Sequence, residues 1–215
     1  MYKTLTYLVM ALLSINCLAQ PELWGTTNNG GSIGSGTIFK LDTAGNNYSL
    51  EYDWQLLSDG KRPLCKMIQA TNEKLYGVTF QDGANFGGVL FEYDFTTGTY
   101  IKKHDFSDPT GSLPEGELMQ ASNGKLYGLA GFGGTYNLGV LFEYDLTTST
   151  YSNLIDFDLP ILGGGPHGKL IEAPNGKLYG LNSHGGTLGF GTLFEFDIST
   201  GTANTIINLD SISSG

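Results

Sequence analysis

Four aspartates recur at near-constant intervals: Asp42, Asp94, Asp145 and Asp197, spaced by 52, 51 and 52 residues. Carboxylates ligate metals and pair as catalytic acid and base, but both tasks need them to converge on one atom. Each of these precedes a short polar turn, as in Asp94-Phe-Thr-Thr-Gly-Thr99, where a carboxylate caps backbone N–H groups. One per repeat, they are expected to stand apart, so a structural role is assigned. The paired glycines Gly30-Gly31, Gly133-Gly134 and Gly185-Gly186 invite comparison with a phosphate cradle. No helical pattern follows any of them, and none carries the lysine and hydroxyl of a P-loop, so they too read as turns.

The remaining reactive side chains are few. His104 aligns with Tyr52, Ile155 and Ile207, the pattern of a half-buried strand position, and His167 aligns with Leu64 and Glu115. His184 falls in a glycine loop, opposite Asn29, Gln81 and Phe132. With no second ligand at zinc spacing, no metal is expected, and no cofactor. Cys65 stands where Gly116 and Gly168 stand in other copies, which marks a turn residue and not a nucleophile.

Binding residues concentrate where loops vary on a rigid frame. The loop holding the paired glycines varies freely, through Ser32-Ile33, Asn85-Phe86, Tyr136-Asn137 and Leu188 to Phe190. Phe86, Phe132, Tyr136 and Phe190, with His184, are therefore the candidate ligand-contacting residues. Aromatic faces among Asn and Thr suit sugar rings, by stacking and hydrogen bonding. The competing expectation is that these rings pack between neighbouring repeats. Gln69, Gln120 and Glu172, a second aligned set, could line a channel or stand in solvent.

These residues are positioned by a repeat. Leu-Tyr-Gly or Leu-Trp-Gly places its glycine at 25, 77, 128 and 180. In the third copy, Glu117 to Ala121 ends at the hairpin signal Asn123-Gly124, and Lys125 to Ala130 follows as a second strand. Gly131 to Gly139 is a loop, Val140 to Leu146 a third strand, and Tyr151 to Phe157 a fourth, with a loop over Leu159 to Gly165. No window keeps apolar residues at helical spacing. Four strands in about 50 residues, repeated, is the arithmetic of a β-propeller blade. The polar, lysine-bearing fourth strand is assigned to the outer edge and the short first strand to the axis.

The copies run over about 22–57, 63–107, 114–158 and 166–210 of a single repeat domain, 20–215. The first enters at its second strand, so fifteen strands are expected, with one inner strand missing. An incomplete propeller belonging to a longer chain is the expected architecture, because an unpaired inner gap leaves backbone groups unsatisfied.

Residues 1–19 read as an export signal: Lys3, an apolar run from Leu5 to Leu13, and Cys17-Leu18-Ala19 before Gln20. The run is too short to span a bilayer, and Asn16 before Cys17 fits a lipobox poorly, so plain secretion is expected. Removal of the leader leaves Cys65 as the only cysteine, without an intramolecular disulfide. A formal charge of −10 with Arg62 as the single arginine argues against nucleic acid, whose phosphates need a basic footprint. It argues equally against anionic membrane surfaces, and the mature chain has no second long apolar run to insert.

Leu-Tyr-Gly, the paired glycines, Gly-x-Leu-Phe-x-Tyr-Asp, Asp-Phe and Pro-x-Gly-x-Leu-x-x-Ala-x-Asn-Gly-Lys recur in register. Together they resemble the gloeo/verrucomicrobial (GloVer) repeat of exported "choice-of-anchor" proteins of bacteria. The second copy departs, with Asp82-Gly83 in place of the glycine pair. The resemblance covers residues 22–210, implies export and anchoring beyond this sequence, and attaches no catalytic activity. A looser similarity to kelch blades supports a propeller. The expected function is a secreted or cell-surface binding scaffold, without catalysis, for carbohydrate or a surface protein. The alternatives are a propeller glycoside hydrolase or lyase, and a purely structural repeat region.

Overall fold

A computed structural model describes residues 22–211 of the chain, so the export signal expected over residues 1–19 lies outside the described residues. Four antiparallel sheets follow one another along the chain. The first holds β1 (Glu22–Thr27), β2 (Thr37–Asp42) and β3 (Ser49–Asp53). The second holds β4 (Ile68–Gln69), β5 (Leu75–Thr79), β6 (Val89–Asp94) and β7 (Thr99–Asp105). The third holds β8 (Met119–Gln120), β9 (Leu126–Ala130), β10 (Val140–Asp145) and β11 (Thr150–Asp156). The fourth holds β12 (Gly164–Glu172), β13 (Lys177–His184), β14 (Thr192–Asp197) and β15 (Thr202–Asn208). Strands are adjacent in chain order within every sheet, so each is a meander, and the short first strand and the polar fourth strand lie at opposite edges.

The inner strands differ from the sequence reading. β4 and β8 shrink to two residues each, while β12 extends to nine and begins at Gly164, inside the loop expected over Leu159 to Gly165. β12 packs against β9 of the preceding blade, which supports its length from the side.

One wedge repeats between blades. Trp54, Phe106 and Phe157 meet Phe91, Phe142 and Phe194 of the next blade nearly edge-on, with ring centroids 5.3, 5.2 and 5.0 Å apart. All six rings are fully buried, and such pairs add about 0.5–1.5 kcal/mol each beyond the burial of their area. The ring of the third-strand phenylalanine lies across the glycine of Leu-Tyr-Gly. A Cβ on Gly77, Gly128 or Gly180 would come within 2.6, 2.4 and 2.5 Å of it. That close approach explains the glycine.

Each sheet carries a bulge at the same point of its third and fourth strands, beside Phe39, Phe91, Phe142 and Phe194. In the second sheet the bulge lets Lys103 reach Glu92 at 2.8 Å, where Tyr76 donates at 2.6 Å and Lys74 at 3.1 Å. The Asn–Tyr–Glu–Lys network recurs as Asn123, Tyr127, Glu143 and Lys125, and again as Asn175, Tyr179, Glu195 and Lys177. The first copy reverses the charges, with Lys40 facing Glu22 at 3.2 Å.

The aligned set read as a possible channel lining links blades instead. Gln120 accepts from the Thr71 N–H at 2.9 Å, and Glu172 from the Ser122 N–H at 2.8 Å. Among the described residues the arc is not closed. At one end Leu23 and Tyr48 are 50% and 62% exposed, and at the other Ile171 and Leu181 are 66% and 53% exposed.

Candidate functional site

The second and third strands of every blade are joined by a glycine-bearing loop, at 28–36, 80–88, 131–139 and 185–191, all leaving the same end of their sheets. Each loop is closed by the same backbone circuit. The last glycine, Gly36, Gly88, Gly139 or Gly191, donates to the carbonyl of residue 30, 82, 133 or 185. Its own carbonyl accepts the N–H of Trp54, Phe106, Phe157 or Leu209, which in the first three blades ties the loop to the interblade wedge. These glycines have φ between +95° and +112°, and a Cβ there would stand 2.2–2.6 Å from a backbone oxygen, so no other residue fits. Proline rings of the next blade, Pro63, Pro114 and Pro166, lie against three of them.

A side-chain cap completes each loop. Asp53 accepts from the Ser32 N–H at 3.0 Å, Asp105 from the Ala84 N–H at 2.7 Å, and Asn208 from the Thr187 N–H at 2.7 Å. In the third blade Thr135 donates its hydroxyl to Asp156. The bond from the Ser32 N–H holds the Asp53 carboxyl below the usual range. Sequence reasoning missed these caps, although the Asp-Phe motif marks two of the four positions, Asp105 and Asp156. Asp42, Asp94, Asp145 and Asp197 are turn caps as expected, accepting from the N–H groups of Ala44, Thr96, Thr147 and Ser199.

On this frame the loop tips are apolar and solvent-facing. Phe86 is 73% exposed, Tyr136 59%, Phe190 54% and Phe132 46%. The expectation that they pack between repeats is therefore not met: the interblade space is already filled by the wedge and by the prolines. Ile33 and Leu188, at 53% and 52%, stand at the position of Tyr136 in their own loops and belong to the same surface. Phe86 holds φ of +62°, where its counterparts are Gly34, Asn137 and Gly189. A bulky residue in the left-handed region is uncommon, and here its ring is in water. His184 departs from its expected place: it closes β13 instead of lying in the loop, with Nδ1 3.0 Å from the Ser183 hydroxyl.

The other groups are committed elsewhere. Cys65 donates to the Glu115 carbonyl, and burial, with Glu117 and Glu115 nearby, pushes its thiol up to about 12. His167 faces Glu115 at 3.0 Å. Among the described residues no group of three or more His, Cys, Asp or Glu side chains could hold a metal ion, and no helix is long and apolar enough to cross a membrane. At the opposite end of the blades a polar cleft of about 330 Å³ lies between Thr71, Asn72, Asn123, Lys125, Asp145 and Thr147.

A family model described as the Gloeobacter/Verrucomicrobia repeat matches residues 23–215. No curated protein matches the chain. Among solved structures, the chain is similar to TolB from Acinetobacter baumannii, with a TM-score of 0.55 and 14% identity over 87% of this chain and 41% of that one. It is similar to a chain of a nidogen/laminin complex, with a TM-score of 0.57 and 12% identity over 89% of this chain and 62% of that one. A puromycin-hydrolyzing peptidase of Mycobacterium tuberculosis gives 0.53 and 12%, over 86% of this chain and 26% of that one. The chain thus spans less than two thirds of each of these structures. At such identities the likeness shows a propeller-type fold alone.

Proposed function

The chain belongs to the Gloeobacter/Verrucomicrobia repeat family, and from that premise we propose that it is an exported, non-catalytic binding module. Its ligand-contacting surface is the face carrying the four glycine-turn loops. The observation that carries this reading is the exposure of an apolar side chain at every loop tip, on loops fastened by backbone bonds and by Asp or Asn caps. Apolar groups held rigidly in water lose little conformational entropy on binding, which favours their use as contacts. Phe86, Phe132, Tyr136 and Phe190 offer flat faces, and His184 a hydrogen-bonding edge, so the preferred ligand is a carbohydrate of the cell surface or its surroundings. The acidic, arginine-poor composition disfavours nucleic acid and anionic membrane.

Two further supports concern catalysis and location. The repeated carboxylates are already engaged in turn caps and lysine pairs, and the Cys65 thiol is held protonated. The N-terminal pattern of Lys3, Leu5 to Leu13 and Ala19 supports export, and cleavage would leave Gln20 as the first residue of the secreted chain.

The test is binding of the purified chain to a panel of soluble polysaccharides, alongside the double variant Phe132→Ala, Tyr136→Ala. The expected result is at least about tenfold weaker binding with an unchanged melting temperature, since each exposed ring contributes contact and not packing. Loss of affinity and stability together, or unchanged affinity, would remove the reading.

A further inference from the structure

In a repeat, whatever the frame demands recurs in every copy, so a feature that one copy alone carries is free to serve a ligand. The loop of the third blade holds such features on both sides of Gly133-Gly134. The Gly134 N–H donates to the Asp108 carbonyl at 2.6 Å, where the equivalent glycines Gly83 and Gly186 use Leu57 and Leu159. Asp108 is thus a carboxylate at a position that is apolar in the other connections. Phe132 stands where the other loops have Asn29, Gln81 and His184.

Each of the two carboxylates at this loop is tied to a neighbour of an exposed ring. Asp108 accepts the Ser112 hydroxyl at 2.9 Å, and the backbone of Ser112 is paired with that of Phe132. Asp156 accepts the hydroxyl of Thr135, the residue before Tyr136, and an N–H of Asn153 at 2.6 Å. All of these partners are neutral, so both charges are left uncompensated. Burial opposes the charge of Asp156, but the bonds from Thr135 and Asn153 prevail and hold its carboxyl below the usual range. The contrast lies in the other blades. Asp105, the equivalent of Asp156, is met by Lys102 at 2.9 Å, Asn208 carries no charge, and the loop beside Asp53 has Ile33 at its tip. At the opposite end of the sheets Glu92, Glu143 and Glu195 are each matched by a lysine.

Resting on the reading that this face binds carbohydrate, we propose that the third-blade loop selects a sugar bearing an unacetylated amino group. Phe132 and Tyr136 take the flat faces of the sugar rings, and Asp108 and Asp156 accept from the ammonium. Hydrogen bonds from a charged donor to a carboxylate are the strong ones, and an ammonium beside an aromatic face is favoured further by the ring quadrupole. Acetylation removes the positive charge, so the N-acetylated form of the same polymer leaves both carboxylates without a cation.

The experiment measures binding of the purified chain to an oligomer of glucosamine and to its N-acetylated counterpart, at mildly acidic pH where the free amine is protonated. The expected result is binding at least about tenfold tighter for the free amine, since a hydrogen bond to a charged group is worth that much. The double variant Asp108→Asn, Asp156→Asn keeps an acceptor for each bond, as Asn208 does in the fourth blade. It should erase the preference with an unchanged melting temperature. A control pair at the opposite end of the blades, Asp42→Asn with Glu73→Gln, removes the same charge and should leave the preference intact. Equal binding of the two oligomers overturns the amino-sugar assignment and leaves the broader carbohydrate reading standing. Binding of neither overturns the assignment, and the polysaccharide panel then decides the broader reading separately. A preference kept by the double variant, a preference lost equally in the control pair, or oligolysine bound as tightly as the amino sugar also overturns it.

Discussion

His104 lies flat on Tyr151 of the next blade, ring centroids 3.7 Å apart and planes 2° from parallel. Tyr52 makes the same contact with Tyr100 one blade earlier, at 4.3 Å and 9°. Burial lowers the His104 pKa to about 4 against the opposing charge of Asp105, so the folded protein holds the ring neutral near pH 7. The ordinary value is near 6.5, and the folded state therefore disfavours the proton that the unfolded chain accepts. The contribution of this stack is intact above pH 6.5 and falls away as the pH drops from 6.5 to 4. Melting temperatures across that window should decline more steeply for the native chain than for His104→Tyr. Equal slopes would show that the histidine does not carry the dependence.

Glu92 is 4% exposed and receives Lys74, Lys103 and Tyr76 together. Burial opposes its charge, but the bonds from Lys103, Tyr76 and Lys74 prevail and hold the carboxyl below its usual range. Removing the acid strands a half-buried ammonium and a buried hydroxyl. Glu92→Ala should cost about 3 kcal/mol by urea unfolding, and Glu195→Ala, in the more exposed counterpart network, clearly less.

Gly88 has φ of +95°, and a Cβ there would stand 2.2 Å from the Thr79 carbonyl oxygen. Gly88→Ala should lower stability by at least about 2 kcal/mol, because left-handed backbone and a backbone clash act together. Gly124→Ala is the control. It also has positive φ, at +83°, but its Cβ would meet nothing within 4 Å. The difference between the two unfolding midpoints measures the clash.

Phe86 combines φ of +62° with a ring 73% exposed, a costly way to place an apolar group in water. Asn137, at φ of +54°, shows what the same position takes in the next blade. Phe86→Asn should therefore raise stability by about 0.5–1 kcal/mol, since asparagine tolerates this backbone better. If the loop face binds ligand, the same variant should bind more weakly. A variant that loses stability would mean that the ring packs on something in solution.

Much of the candidate site was legible from spacing. The paired glycines, the turn aspartates and the strand order within each sheet all follow from composition at repeated positions, because turn geometry is local. The caps Asp53, Asp105 and Asp156 were missed because each acts on a loop 21 residues earlier in the chain. Nothing local distinguishes such an aspartate from one in solvent.

The sequence by itself determined the period, the meander of each blade, and the glycine loops as the variable surface. Hydrophobic alternation and turn chemistry act over a few residues, and repetition multiplies the signal. Only the tertiary structure decided that the loop aromatics face water, that the interblade space belongs to Trp54, Phe106 and Phe157, and that Gln120 and Glu172 link neighbouring blades. Those outcomes depend on which side chain reaches a given gap first when two sheets meet. That competition is settled by shape and distance across about 50 residues of intervening chain.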